Sequence, residues 1–205
     1  GAIAHIWPKL NCNMYATPFT AALIEEKFKE KKIDVSSYLK IVPLNSKIKL
    51  GKFEIDFVTL THSILEPNGL SITTPLGTVL HTGDWKVDPN PLIGGNIDEK
   101  KLKEIGKKGV TSMICDSTNI FSPGRAGSEL EVRDSLLKII ELKSQKILIT
   151  SFASNVARME SIFYCAKKTD RSICLVGRSM HRIYKAARKC GYLKDVIEPL
   201  EPKEA

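Results

Sequence analysis

Three residues whose types suit metal and acid chemistry stand directly after apolar runs. His62 follows FVTLT, Asp84 follows VLHTG and Asp116 follows VTSMIC. Loops just beyond strand ends present side chains from a rigid scaffold, which is where chemistry is usually carried. A neutral imidazole suits a borderline metal such as zinc, and a carboxylate has two oxygens with which to bridge two cations. Gly83, just before Asp84, lets the backbone turn so that the carboxylate projects from the sheet. Each residue also has a plainer reading, the histidine as a hydrogen-bonded structural group and the aspartates as turn or cap residues. Three such residues at three strand-to-loop transitions favour a shared site.

A second set suits phosphate. ITSFASNVAR and LVGRSMHR each place small polar residues between an apolar run and a helical pattern. Free backbone N–H groups at a helix N-terminus attract anions. Ser154 and Asn155 can donate hydrogen bonds there, and Arg178, beside Ser179, can fork onto a phosphate. The alternative is simple N-capping by Ser154 and Ser179.

The elements that would hold these residues change character along the chain. Residues 16–28 read as a helix with Thr17 as cap and Pro18 in its first turn. The basic run 27–32 closes that helix, where cations suit the dipole. Residues 40–82 read as antiparallel strands at 40–43, 48–50, 53–59, 70–73 and 78–82, with turns at Gly51-Lys52 and Pro75-Leu76-Gly77. From residue 98 strands and helices alternate. Helices are expected at 98–105, capped by Asp98, at 128–142 with a Ser128–Glu131 capping box, at 154–168 and at 179–190. Strands are expected at 110–115, 146–151 and 172–176. This alternation argues for βαβ units and a parallel sheet. His181 is expected at the surface, and the tail EPLEPKEA is expected to fray.

Composition narrows the class. The 205 residues are 42% hydrophobic and 26% charged, as in an ordinary globular protein. No apolar run is long enough for a transmembrane helix, and the N-terminus lacks the pattern of a secretory signal. Five cysteines without a CxxC pair suit a reducing cytoplasm, and Cys115 and Cys174 read as small buried thiols. A formal charge of +8 favours a polyanionic partner such as nucleic acid.

The pieces THSI with Gly69, ITTPLGTVLHTGDWKVD, DSTN with Pro123-Gly124 and Ser128-Glu129, SFASNVAR and VGRSM occur in this order. Together they resemble the RNase J branch of the β-CASP metallo-β-lactamase-fold ribonucleases. The resemblance implies an α/β (α+β) chain. Residues 1–119 would be a partial metallo-β-lactamase αββα sandwich, and residues 120–205 a partial β-CASP parallel α/β domain, divided near the Ser/Pro/Gly-rich STNIFSPGRAGS. It implies two zinc ions that activate water against an RNA phosphodiester. His62 would be a metal ligand and Asp84 the bridging ligand. Asp116 would orient a metal-binding histidine, while His81 lies near the site without being a ligand. Ser154, Asn155, Arg178 and Ser179 would line the RNA path. Endonucleolytic cutting or 5′-exonucleolytic cutting of RNA with a 5′ phosphate would both fit.

The family's His-x-His-x-Asp-His run is not in this sequence, and GAIAHIWPKL corresponds to the helix that follows it in the family. The expectation is an internal portion with an incomplete metal site, inactive alone, whose exposed sheet edges call for a complementing chain or a second copy. The alternatives are a metal-free RNA-binding or assembly module and an inactive remnant.

Overall fold

The computed structural model describes residues 2–201 and Lys203. Chain order is α1 (Ile3–Leu10), β1 (Met14–Ala16), α2 (Pro18–Glu30), β2 (Leu39–Ile41), β3 (Lys47–Leu50), β4 (Phe53–Thr59), β5 (Asn68–Thr74), β6 (Gly77–His81), α3 (Glu99–Lys108), β7 (Ser112–Ile114), α4 (Glu129–Glu141), α5 (Val156–Lys168) and α6 (Arg178–Lys189). It is a mixed α/β fold, with parallel and antiparallel strand pairs.

The antiparallel half forms as its pattern predicts. Five strands lie in the order β3-β4-β5-β6-β7. β3 and β4 close over Gly51-Lys52, with Leu50 opposite Phe53, and Gly51 takes the positive φ that a two-residue hairpin requires. β5 and β6 close over Pro75-Leu76, with Thr74 opposite Gly77. β7 then joins β6 in parallel, pairing Val79 with Ser112 and His81 with Ile114. Since β4 and β6 are both antiparallel to β5, and β7 is parallel to β6, the C-terminal ends of β4, β6 and β7 face one edge.

Two departures concern strands. Residues 40–43 do not join that sheet; Leu39–Ile41 pairs in parallel with the short β1, which no pattern announced. Residues 146–151 and 172–176 form no ladder: Cys174 makes one isolated parallel bridge to Leu200, and Leu148 is 96% exposed. Apolar alternation favours a pleated backbone, but a ladder also needs a partner edge, and local sequence does not supply one. The expected second parallel sheet is therefore absent among the described residues.

One core is shared by both halves of the chain. Phe19, Ala22 and Leu65 pack with Val156, Met159, Phe163, Ile183 and Ala187. A smaller core joins Trp7, Met14, Phe28 and Val35, with the Trp7 and Phe28 rings edge to face at 5.5 Å.

Helix ends follow expectation in part. Asp98 accepts the Lys101 N–H, and Ser128 and Glu131 form the reciprocal box. Thr17 holds the N-cap position of α2 without capping through its side chain; the Glu66 carboxylate accepts the Phe19 N–H at 2.8 Å instead. The cap of α5 is Asn155 rather than Ser154, and Gly177 holds the N-cap position of α6, with no side-chain cap from Ser179. His181 is half-buried and meets the Leu175 carbonyl at 2.9 Å. Cys115 is exposed and Cys174 half-buried, while Cys165 is the buried thiol. The tail is engaged at Glu198 and Leu200: Glu198 accepts the Tyr184 hydroxyl, and the Leu200 N–H donates to the Ile173 carbonyl. Pro202, Glu204 and Ala205 lie outside the described residues.

Candidate functional site

The shared direction of β4, β6 and β7 delivers His62, Asp84 and Asp116 to one end of the sheet. An isolated antiparallel bridge between Thr61 and Lys86 pins the first two loops together. The Lys86 N–H donates to the Thr61 carbonyl at 2.9 Å, and the Thr61 hydroxyl donates to the Lys86 carbonyl at 2.5 Å.

Buried Thr82 ties the Asp84 loop to the Asp116 loop. Its N–H donates to the Ile114 carbonyl at 2.9 Å and its hydroxyl donates to the Gly83 carbonyl at 2.7 Å. The same hydroxyl oxygen accepts the Asp116 N–H at 3.1 Å. His81 Nδ1 accepts the Gly83 N–H at 3.0 Å, so the backbone N–H and carbonyl of Gly83 are both held. Gly83 sits at φ +62°, a left-handed conformation that a side chain would resist.

Asp116 is half-buried and its Oδ1 accepts both the hydroxyl and the N–H of Thr118. These two bonds hold its carboxyl below the usual carboxylate range, with smaller contributions from the Trp85 N–H and from His62. His62 is therefore within electrostatic reach of Asp116. His62 itself is half-buried with Nδ1 3.4 Å from the Ser63 hydroxyl, while Asp84 is exposed.

Among the described residues no three His, Cys, Asp or Glu side chains converge as a metal site. A protein zinc site takes about four ligands, or three and a water. His62 and Asp84 are suitable donors, but on their own they do not make a complete zinc site.

The phosphate-side residues divide. The Ser63 carbonyl accepts the Ala157 N–H at 3.4 Å, so the loop carrying His62 abuts the start of α5, where Ser154 is exposed. Asn155 Oδ1 accepts the Arg158 N–H at 2.8 Å, and its side-chain amide retains two donor N–H groups. Arg178 and Ser179 stand exposed at the start of α6, and no hydrogen bond or ion pair joins them to the other candidates among the described residues.

Beyond Asp116 the sheet end opens on a cleft of about 990 Å³ whose walls include Trp85, Lys86, Asn119, Arg125 and Ser128. A tryptophan beside two cations suits a nucleotide strand.

Sequence reasoning missed the buried polar groups behind this surface. Asp88 is 5% exposed; its carboxylate accepts the Glu129 and Asn90 N–H groups, each at 3.0 Å, and Lys86 Nζ lies 3.2 Å away. Burial pushes its carboxyl up, but these bonds outweigh it and the net displacement is downward. Glu129, equally buried, receives the Arg158 guanidinium at 2.6 Å. Their partners lie 41 and 29 positions apart in the chain, beyond what a local pattern can name.

Residues 144–201 match the family model "Ribonuclease J, beta-CASP domain". Ribonuclease J of Sinorhizobium meliloti is 41% identical over 196 residues, which is 96% of this chain and 35% of that protein. Ribonuclease J of Thermus thermophilus is 34% identical over 183 residues, 88% of this chain and 32% of its own length. The chain thus spans about a third of the length of these curated relatives. A crystal structure of a protein of unknown function from Enterococcus faecalis V583 superposes with a TM-score of 0.62 over 94% of this chain and 50% of that one. At 16% identity, that likeness concerns the fold alone. Over its matched residues the chain is thus similar to ribonuclease J, and residues 144–201 carry the sequence of the ribonuclease J β-CASP domain.

Proposed function

We propose that this chain supplies the RNA path and part of the catalytic end of a ribonuclease that hydrolyses RNA phosphodiesters. The observation that carries this reading is the placement of the loops bearing His62, Asp84 and Asp116 at one sheet end, beside a cleft walled by Trp85, Lys86 and Arg125. The names of the relatives support RNA as substrate. Lys86 and Arg125 offset phosphate charge, Trp85 stacks a base, and Asp116 holds a neighbouring group by hydrogen bonds. Ser154, the Asn155 amide, Arg178 and Ser179 line the RNA path at two places, and endonucleolytic cutting or cutting from a 5′ phosphate end both fit.

In this reading His62 and Asp84 are two holders of zinc, and the remaining ligands come from outside these residues. Zinc supplies Lewis-acid and water-activating chemistry when bound.

The five free cysteines suit a reducing cytoplasmic setting. Among the described residues no helix is long and apolar enough to cross a membrane. Exposed Leu148, Phe152 and Val176 support coverage by a complementing chain or a second copy. A second reading, a metal-free RNA-binding module, is favoured by the absence of a three-ligand cluster among the described residues.

The test is fluorescence anisotropy with a short single-stranded RNA bearing a 5′ phosphate. Affinity is expected to fall by an order of magnitude or more between about 50 and 200 mM salt. Binding that is absent, or indifferent to salt, overturns the RNA reading. Zinc retained after dialysis and lost with EDTA, together with RNA cleavage, supports the nuclease; RNA binding unchanged by EDTA, without cleavage, supports the binding module.

A further inference from the structure

The sheet end and the start of α5 are joined by one continuous polar chain. The Thr61 hydroxyl accepts the Asp88 N–H at 3.2 Å. Asp88 Oδ2 accepts the Glu129 N–H at the first turn of α4, a favourable place for an anion. Glu129 Oε1 accepts from Arg158 Nε at 2.6 Å and Oε2 from Arg158 Nη2 at 3.4 Å. The Arg158 N–H closes the chain onto Asn155 Oδ1. Its first member precedes His62 and its last follows Ser154. Asp88 and Glu129 are buried and carry no group that reaches the cleft's solvent, so direct contact with a ligand does not account for them.

We infer that Asp88, Glu129 and Arg158 are positioning residues: they fix the spacing between the His62–Asp84–Asp116 end and the Ser154–Asn155 loop, and so the register in which an RNA strand lies between them. This rests on the reading of the cleft as an RNA path. A buried carboxylate hydrogen-bonded on both oxygens has few alternative orientations, so it transmits position from one helix to the next. Arg158 brings the same rigidity through its planar, two-point grip.

The sign of the charge separates positioning from plain electrostatics. Removing a negative charge from a protein that binds a polyanion should tighten binding. If Glu129 and Asp88 act by position, Glu129→Gln and Asp88→Asn weaken binding of the 5′-phosphorylated RNA instead, by about tenfold, within the usual range of coupling between sites. The exposed Glu104→Gln serves as control, with binding unchanged or slightly tighter. Thermal melts confirm that each variant is folded at the assay temperature.

Amide hydrogen exchange tests the coupling without RNA. Glu129→Gln is expected to accelerate exchange at residues 85–90 and 152–158 together, leaving β3 and β4 as they were. RNA binding by folded variants that is equal to or tighter than that of the parent chain overturns the inference. So does acceleration confined to one of the two segments. If the parent chain fails to bind RNA, the RNA reading fails by itself, and the exchange result decides whether the two segments are coupled.

Discussion

The hydroxyl of Thr82 accepts the backbone N–H of Asp116 across the parallel β6–β7 pair, at 3.1 Å, and donates to the carbonyl next to Asp84. One buried oxygen thus joins the two loops that carry the acidic candidates. Thr82→Val keeps the shape and removes both bonds. The expected loss of stability is about 1–3 kcal/mol, the cost of leaving a buried polar group unsatisfied. Urea unfolding reads the loss, and the Asp116 amide should exchange faster than its neighbours in β7. An unchanged midpoint would mean that water replaces the hydroxyl.

Glu66 ties three distant segments. Its carboxylate accepts the Phe19 N–H at 2.8 Å and the Tyr192 hydroxyl at 3.3 Å, and its own backbone sits at φ +55°. Burial, then the charge of Glu66, pushes the Tyr192 hydroxyl up to about 12. A raised folded pKa means the native state holds its proton more tightly than the unfolded chain, whose tyrosines titrate near about 10. Stability from this contact is complete below about pH 10 and falls as pH rises toward 12. Following tyrosinate absorbance with pH, Tyr192→Phe should delete a late-titrating group and flatten that alkaline loss. A deletion from the ordinary tyrosine range would contradict the buried contact.

Asp88 runs the opposite way. Burial raises its carboxyl pKa, but the Glu129 and Asn90 N–H groups and Lys86 lower it more, so the folded value lies below the usual one. Its contribution is present above the unfolded aspartate pKa, near about 3.9, and disappears as pH falls through the depressed folded value. Asp88→Asn should destabilise the protein at neutral pH by about 1–3 kcal/mol. The gap between variant and parent should narrow steadily on acidification below about pH 4. Denaturant midpoints measured across that range give the answer; a gap independent of pH would show that the charged form has no special role.

Much of the first half was legible because its signals are local. The turns Gly51-Lys52 and Pro75-Leu76-Gly77 bound the hairpins, and Asp98 and the Ser128–Glu131 pair mark helix starts where the structure has them. His62, Asp84 and Asp116 were visible as polar residues ending apolar runs, and their common edge follows from the strand directions. Residues 146–151 show the limit, because an extended apolar pattern does not name the edge it will pair with.

Sequence by itself determined the likeness to ribonuclease J, the strand-to-loop placement of the candidate acids and histidine, and the basic charge that suits a polyanion. Tertiary structure alone decided that Glu66 rather than Thr17 caps α2, and that Thr82 joins two loops. It also decided that Asp88, Glu129 and Arg158 link the sheet end to α5. The physical reason is range. Turns and caps are set by neighbours a few positions apart, whereas a buried polar group is satisfied by whatever partner the folded chain brings near it, and that partner can lie anywhere in the sequence.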